Sequence, residues 1–221
     1  MKERLTRVIL IRHADPAEDA RGRCYGRTDI ALSPRGERRA RHLANMLRRM
    51  PIDAVYTSPS RRAVDTARLL SAAHELTPIE LDDLRELDFG VCEGRTYDEL
   101  AAEEPALFRV WMLTPTKVRF PGGESYAQLR RRALTASDQL RRRHPAGTFA
   151  VVSHGGVIRA ILADALQMPD EAIFHLDVRY GGVSIVEWSG TTPIVRLVNA
   201  PPVAVGSRRR GFFPTPDPAL G

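Results

Sequence analysis

Short unbroken apolar runs alternate with amphipathic stretches along this chain. The first run, Val8 to Ile11 within RVILIRH, lies between charged residues and predicts a strand covered on both faces, as in parallel sheets. A polar, Gly-bearing loop from Ala14 to Leu32 follows, and Ser33-Pro34 supplies an N-cap and a first-turn proline. Beyond it Ala40, Leu43, Leu47 and Met50 recur at helical spacing, with arginines on the other face. IDAVYTS predicts a second strand and RRAVDTARLLSAAH a second helix, with a brief strand near Pro78 to Leu81. TYDELAAEEPALFRVWM reads as one helical stretch, with Thr96 and Glu99 at capping-box spacing. PGGES predicts a turn, and Tyr126 to Arg143 a long amphipathic helix. TFAVVSH is a further buried strand that opens through Gly155-Gly156 into the apolar helix VIRAILADALQ. VSIVEW and PIVRLVN, separated by Ser189 to Thr192, predict an antiparallel hairpin.

Strands alternating with helices predict an α/β fold: a three-layer sandwich with a mostly parallel sheet and helices on both faces. The aromatic-rich segment of about 88–120 is expected to form a small helical cap over the C-terminal sheet edge. A length of 221 residues suits one domain, here expected over 1–200. Residues 201–221, which hold SRRRGFFPTPDPALG, are expected to be a flexible tail.

Composition narrows the classes of function. The net charge of +6 admits nucleic acid, a membrane surface or an anionic small substrate. The arginines are spread along helices, Lys2 and Lys117 are the only lysines, and no basic segment is interleaved with aromatics. Nucleic acid is therefore not an expected partner. No stretch approaches the ~20 apolar residues of a membrane span, and the N-terminal apolar run is too short for a signal-peptide core. Cys24 and Cys92 stand far apart without a CxxC pattern, which argues against a disulfide scaffold or a zinc site and for a reducing cytoplasm. An anionic small substrate is thus the expected partner and a monomer or homodimer the expected assembly, with no membrane and no cofactor.

Two histidines stand at matching places. His13 ends VILIRH and His154 ends FAVVSH. In open α/β sheets ligands bind beyond the carboxyl ends of strands, so neighbouring strands would deliver both rings to one crevice. Arg12 caps an apolar strand and needs an anionic partner there. Arg61 and Arg62 open a helix directly after TSPS, so at least one lies near the same edge. Gly155 and Gly156 follow His154 at a helix start, where N–H groups favour an anion. Glu86, in DLRELDFG, would supply the one carboxylic acid a phosphate site needs to protonate a leaving oxygen. Ser153, also at a strand-to-helix turn, is the rival nucleophile, but Val151 stands where a nucleophile elbow wants its first glycine.

These residues carry a resemblance. LIRHADP resembles the LxRHG signature of the histidine phosphatase superfamily, also called phosphoglycerate mutase-like; RAVDTA resembles its RAxxTA element, LRELDFGVCEG its acid-bearing segment, PGGES a recurrent turn, and VVSHGG its second-histidine motif. The motifs run in family order from Leu10 to Gly156. The resemblance implies that His13 is the phospho-accepting nucleophile, that Arg12, Arg62, His154 and Gly155 bind phosphate, with His154 also among the catalytic residues, and that Glu86 donates the proton, with no metal involved. It makes Arg62 rather than Arg61 the phosphate arginine. Ala14 stands where the family usually has Gly, and Asp19 lies near where mutase-like members carry Asn. The short passage from Glu86 to PGGES resembles phosphatases more than mutases. The loop GRCYGRTDIAL resembles the CYGxTDxxL segment of α-ribazole phosphatases, which implies substrate contacts from Tyr25, Gly26 and Thr28. Tyr25, Phe89, Tyr97, Phe108 and Trp111 form either an aromatic wall for a riboside or the core of the cap. The expected function is a phosphomonoester hydrolase with a phosphohistidine intermediate, whose partner is a small phosphorylated metabolite such as α-ribazole 5′-phosphate. A broad-specificity histidine phosphatase, a phosphoglycerate mutase and a non-catalytic phosphate-binding module are the alternatives.

Overall fold

The computed structural model describes residues 5–201, so the expected tail lies outside the described residues apart from its first position. Six strands form one sheet: Thr6–Arg12 (β1), Ala54–Thr57 (β2), Ile79–Glu80 (β3), Thr148–Ser153 (β4), Val183–Ser189 (β5) and Thr192–Ala200 (β6). Their order is β3-β2-β4-β1-β5-β6. The first four are mutually parallel; β5 adds antiparallel to β1, and β6 returns antiparallel to β5 at the sheet edge, as the hairpin read from the sequence.

Strand alternation explains the two cores. Ile9 and Ile11 of β1, with Ala150 and Val152 of β4, face Pro34–Leu47 (α1) and Arg61–Ala72 (α2), meeting Leu43, Leu47, Ala67 and Leu70. Val8 and Leu10, with Phe149 and Val151, face Tyr126–Arg143 (α5) and Gly155–Ala165 (α6), meeting Leu129, Leu140, Ile158 and Leu162. Continuous apolar runs are thus apolar because both sheet faces are covered, giving the expected sandwich. No helix among the described residues is long and apolar enough to cross a membrane.

Local chemistry starts the helices where the sequence indicates. Ser33 Oγ accepts from Gly36 N, and Thr96 with Glu99 completes a capping box. Met50 lies past the end of α1, in a turn that still packs against the core. The stretch from Thr96 to Met112 is two helices rather than one, Tyr97–Glu103 (α3) and Pro105–Leu113 (α4). Pro105 has no N–H and drives Glu104 out of the helical region, to φ −130° and ψ 55°. These helices and the 3₁₀ turn at Gly90–Cys92 form the cap. Its own small core gathers Cys24, Cys92, Leu100, Val118 and Phe120.

Candidate active site

The parallel pairing of β1 with β4 creates the site. Arg12 is in register with Ser153, and His13 N donates to Ser153 O at 2.9 Å. The residues that end the two strands, His13 and His154, therefore leave the sheet side by side, with ring centroids 5.1 Å apart. They open on a cleft of about 330 Å³ lined also by Arg12, Arg62, Glu86, Tyr25 and Tyr180.

Each ring is fixed in one tautomer by its partners. The His13 Nδ1 lies 2.8 Å from Ala14 O, and a carbonyl only accepts, so Nδ1 carries the proton and Nε2 keeps its lone pair. In His154, Nδ1 accepts from Arg62 Nη2 at 3.3 Å, which leaves Nε2–H to donate to Ser58 Oγ at 2.8 Å. Both rings are buried. Burial first, then the Arg62 and Arg12 charges, push the His13 pKa well below 6.5. Burial, Arg62 and the His13 ring beside it do the same to His154. Both imidazoles are therefore neutral at neutral pH.

The arginines flank them. Arg62 is fully buried at the start of α2, while Arg61 is exposed and near Asp65, as the motif register indicated. Arg62 donates to Thr28 O at 3.0 Å and Gly26 O at 2.9 Å, and Arg12 donates to Val178 O at 2.6 Å. The Nε atoms of both are buried without a hydrogen-bond partner. Two unsatisfied cationic donors beside an imidazole lone pair are suited to a phosphoryl group.

Glu86 lines the same cleft. Its Oε1 accepts from Leu87 N at 2.9 Å and its Oε2 from Gly156 N at 3.1 Å. The acceptor at the α6 start is thus the protein's own Glu86 side chain. Gly155 opens that helix against Arg12, where an added Cβ would stand 3.6 Å from the guanidinium carbon. Arg132 of α5 holds the acid segment by donating to Asp83 O, Arg85 O and Glu86 O, and pairs with Glu124 of PGGES at 2.8 Å. Ser153, the rival nucleophile, points into the core and donates to Leu84 O at 2.7 Å.

The CYGRTD loop behaves differently from the sequence expectation. Tyr25 lines the cleft, but Gly26 and Thr28 do not. Their N–H groups, with those of Arg27 and Phe89, converge on the Glu93 carboxylate, and their carbonyls hold Arg62. Burial alone would raise the Glu93 pKa; the bonds from Thr28 and these backbone groups hold it below the usual carboxylate value. Gly26 is required there, since a Cβ would stand 1.7 Å from Leu87 O. This loop is a scaffold for an arginine.

The aromatic set divides. Phe89, Tyr97 and Tyr25 line the cleft, whereas Phe108 and Trp111 pack in the cap, Trp111 at 5.1 Å from Phe120. Ala14 is buried, with its N–H on Thr66 Oγ1, and Asp19 is exposed. Sequence reasoning missed Tyr180, Ser58, Glu93 and Arg132. Tyr180 had one available signal, the Gly181-Gly182 pair behind it. Gly181 N sits 3.0 Å from Arg12 O and 3.1 Å from His13 O, and so brings Tyr180 to the site.

Comparison with known proteins fits this geometry. Residues 8–201 match the model of the histidine phosphatase superfamily, branch 1. Phosphoserine phosphatase 1 of Hydrogenobacter thermophilus is 37% identical over 157 residues, covering 71% of this chain and 74% of that protein. A bifunctional protein of Mycobacterium tuberculosis is 36% identical over 196 residues, 88% of this chain but only 54% of that longer protein. Among solved structures, the α-ribazole phosphatase of Shigella flexneri superposes with a TM-score of 0.81 at 26% identity, covering 91% of this chain and all of that one.

Proposed function

Because this chain belongs to the histidine phosphatase superfamily and is a phosphatase, we propose that it hydrolyses small phosphomonoesters through a phosphohistidine on His13. One observation carries the reading: the His13 Nε2 lone pair lies in a cleft between two arginines whose buried Nε donors have no partner.

The steps follow from the residues. The ester's dianionic phosphoryl group binds edge-on to Arg12 and Arg62, which offset the charge that would repel a nucleophile. His13 Nε2 attacks phosphorus; the P–N bond forms as the bond to the ester oxygen breaks. Glu86 serves as the general acid and gives a proton to the departing alkoxide. Water then attacks the phosphohistidine, Glu86 takes its proton, the P–N bond breaks, and inorganic phosphate leaves with His13 neutral again. His154 holds Arg62 from one side and is itself fixed by Ser58, so its role is to keep the anion site in place.

Two substrates are in contention. The aromatic wall of Tyr25, Phe89 and Tyr97 favours a heteroaryl riboside such as α-ribazole 5′-phosphate. Similarity to a protein named phosphoserine phosphatase 1 favours phosphoserine. The test is to trap the enzyme during turnover with each ester and map the label. A base-stable, acid-labile phosphoryl group on His13, lost in His13→Ala together with nearly all turnover, is the expected result; label on a serine overturns it. A tenfold difference in specificity constant, about 1.4 kcal/mol, assigns the preferred ester.

A further inference from the structure

Two tyrosines stand over the two arginines, and none of the bond-making and bond-breaking steps above uses them. Tyr180 lies with its ring 4.0 Å from the Arg12 guanidinium carbon, and Tyr25 with its ring 5.0 Å from that of Arg62. They come from segments far apart in the chain, the loop after β1 and the turn before β5. Their hydroxyl groups are hydrogen-bonded to one another.

We propose that Tyr25 and Tyr180 form a positioning bridge that fixes Arg12 and Arg62 as a matched pair for the phosphoryl group, an inference that rests on the phosphate-binding role of those arginines. A guanidinium stacks its flat face on an aromatic ring and offers an anion its in-plane N–H edge. Here the ring of Tyr180 covers a face of Arg12, while Val178 O occupies Nη1. Arg62 is held in the same way, by the Tyr25 ring on one side and by Gly26 O and Thr28 O at its two Nη atoms. What each leaves unsatisfied is the Nε edge. Aromatic contact alone orients each arginine; the hydroxyl bond fixes the two rings, and so the two edges, relative to each other. Tyr180 also lies 5.3 Å from the His13 ring, which ties the bridge to the nucleophile. The Tyr25 hydroxyl stays neutral, since burial, then the neighbouring Tyr180, raise its pKa well above the ordinary tyrosine value.

One shared bond has a distinctive signature: removing either hydroxyl breaks it, and removing the second costs nothing more. The experiment is a double-mutant cycle with Tyr25→Phe, Tyr180→Phe and both together, read as the inhibition constant of inorganic phosphate against a phenyl phosphate ester. Phenylalanine keeps both rings over their arginines. Each single change is expected to weaken phosphate about fivefold, in line with loss of one hydrogen bond of ~1 kcal/mol, and the double change by the same factor. Multiplying effects, near 25-fold in the double variant, would mean that each hydroxyl touches the anion separately and would overturn the bridge. Unchanged inhibition would overturn it as well. The inhibition constant does not depend on the fraction of active molecules, so partial misfolding leaves the readout intact. Arg12→Lys in parallel separates the two ideas: if it binds inorganic phosphate as well as the parent does, the arginine reading fails.

Discussion

Gly156 is where a single methyl group should disable the proton donor and leave the rest of the enzyme standing. A Cβ at this position would lie 2.4 Å from Glu86 Oε1, 3.4 Å from its Cδ and 3.1 Å from Leu129 Cδ1. Ordinary contact begins near 3.4 Å, so the carboxylate must retreat by about 1 Å. That displacement pulls Oε2 off Gly156 N and takes the acid away from the leaving oxygen. Misplacement by ~1 Å costs on the order of 10²-fold, and general acid catalysis itself is worth ~10²–10⁴-fold. The backbone tolerates the change, because Gly156 lies in the first turn of α6 and Ala is a better helix former than Gly. Gly156→Ala should therefore slow phosphorylation by an alkyl ester about 100-fold while p-nitrophenyl phosphate, with its stable phenolate leaving group, changes only a few-fold. Single-turnover formation of the phosphoenzyme is the assay, since Glu86 also serves the second step, and Glu86→Gln is the reference pattern. Equal losses on both esters, or no loss at an unchanged melting temperature, would refute the placement of Glu86 as proton donor.

Acid should destabilise the fold well before its carboxylates titrate. Buried His13 and His154 stay unprotonated below 6.5, whereas the unfolded chain takes up those protons, so stability falls as pH drops below 6.5. The slope is about 1.4 kcal/mol per pH unit for each histidine down to its depressed folded value; urea denaturation between pH 6.5 and 5 should show it, His13→Gln should remove one share, and a flat profile would refute it. Arg132→Lys replaces a fork that reaches three carbonyls and Glu124 with a single ammonium. It should cost ~1–3 kcal/mol of stability and slow alkyl-ester phosphorylation more than the nitrophenyl ester; a stability change under about 0.5 kcal/mol would show that the fork does not hold the acid segment.

The sequence by itself determined the strands and the chemistry at their ends. Val8 to Ile11 and Phe149 to Val152 are apolar at every position because both sheet faces are covered, and that requirement shows in any local window. Arg12, His13, Arg62, Glu86 and His154 were legible because phosphate chemistry confines them to short motifs. Ser33 and Thr96 were legible because a cap is local, whereas the break at Pro105 is equally local and was overridden only by reading helical periodicity too far. Tertiary structure alone decided what each site residue is held by. The tautomer of His154 depends on Arg62 and Ser58, the position of Glu86 on Arg132 and Gly156, and the anchoring of Arg62 on carbonyls that Glu93 fixes from another segment. Tyr180 reaches the cleft only because β5 pairs antiparallel with β1, a contact across more than 160 residues. Hydrogen bonds of this kind join positions whose separation along the chain carries no period. They therefore leave no pattern in the sequence, although they set the geometry on which the chemistry depends.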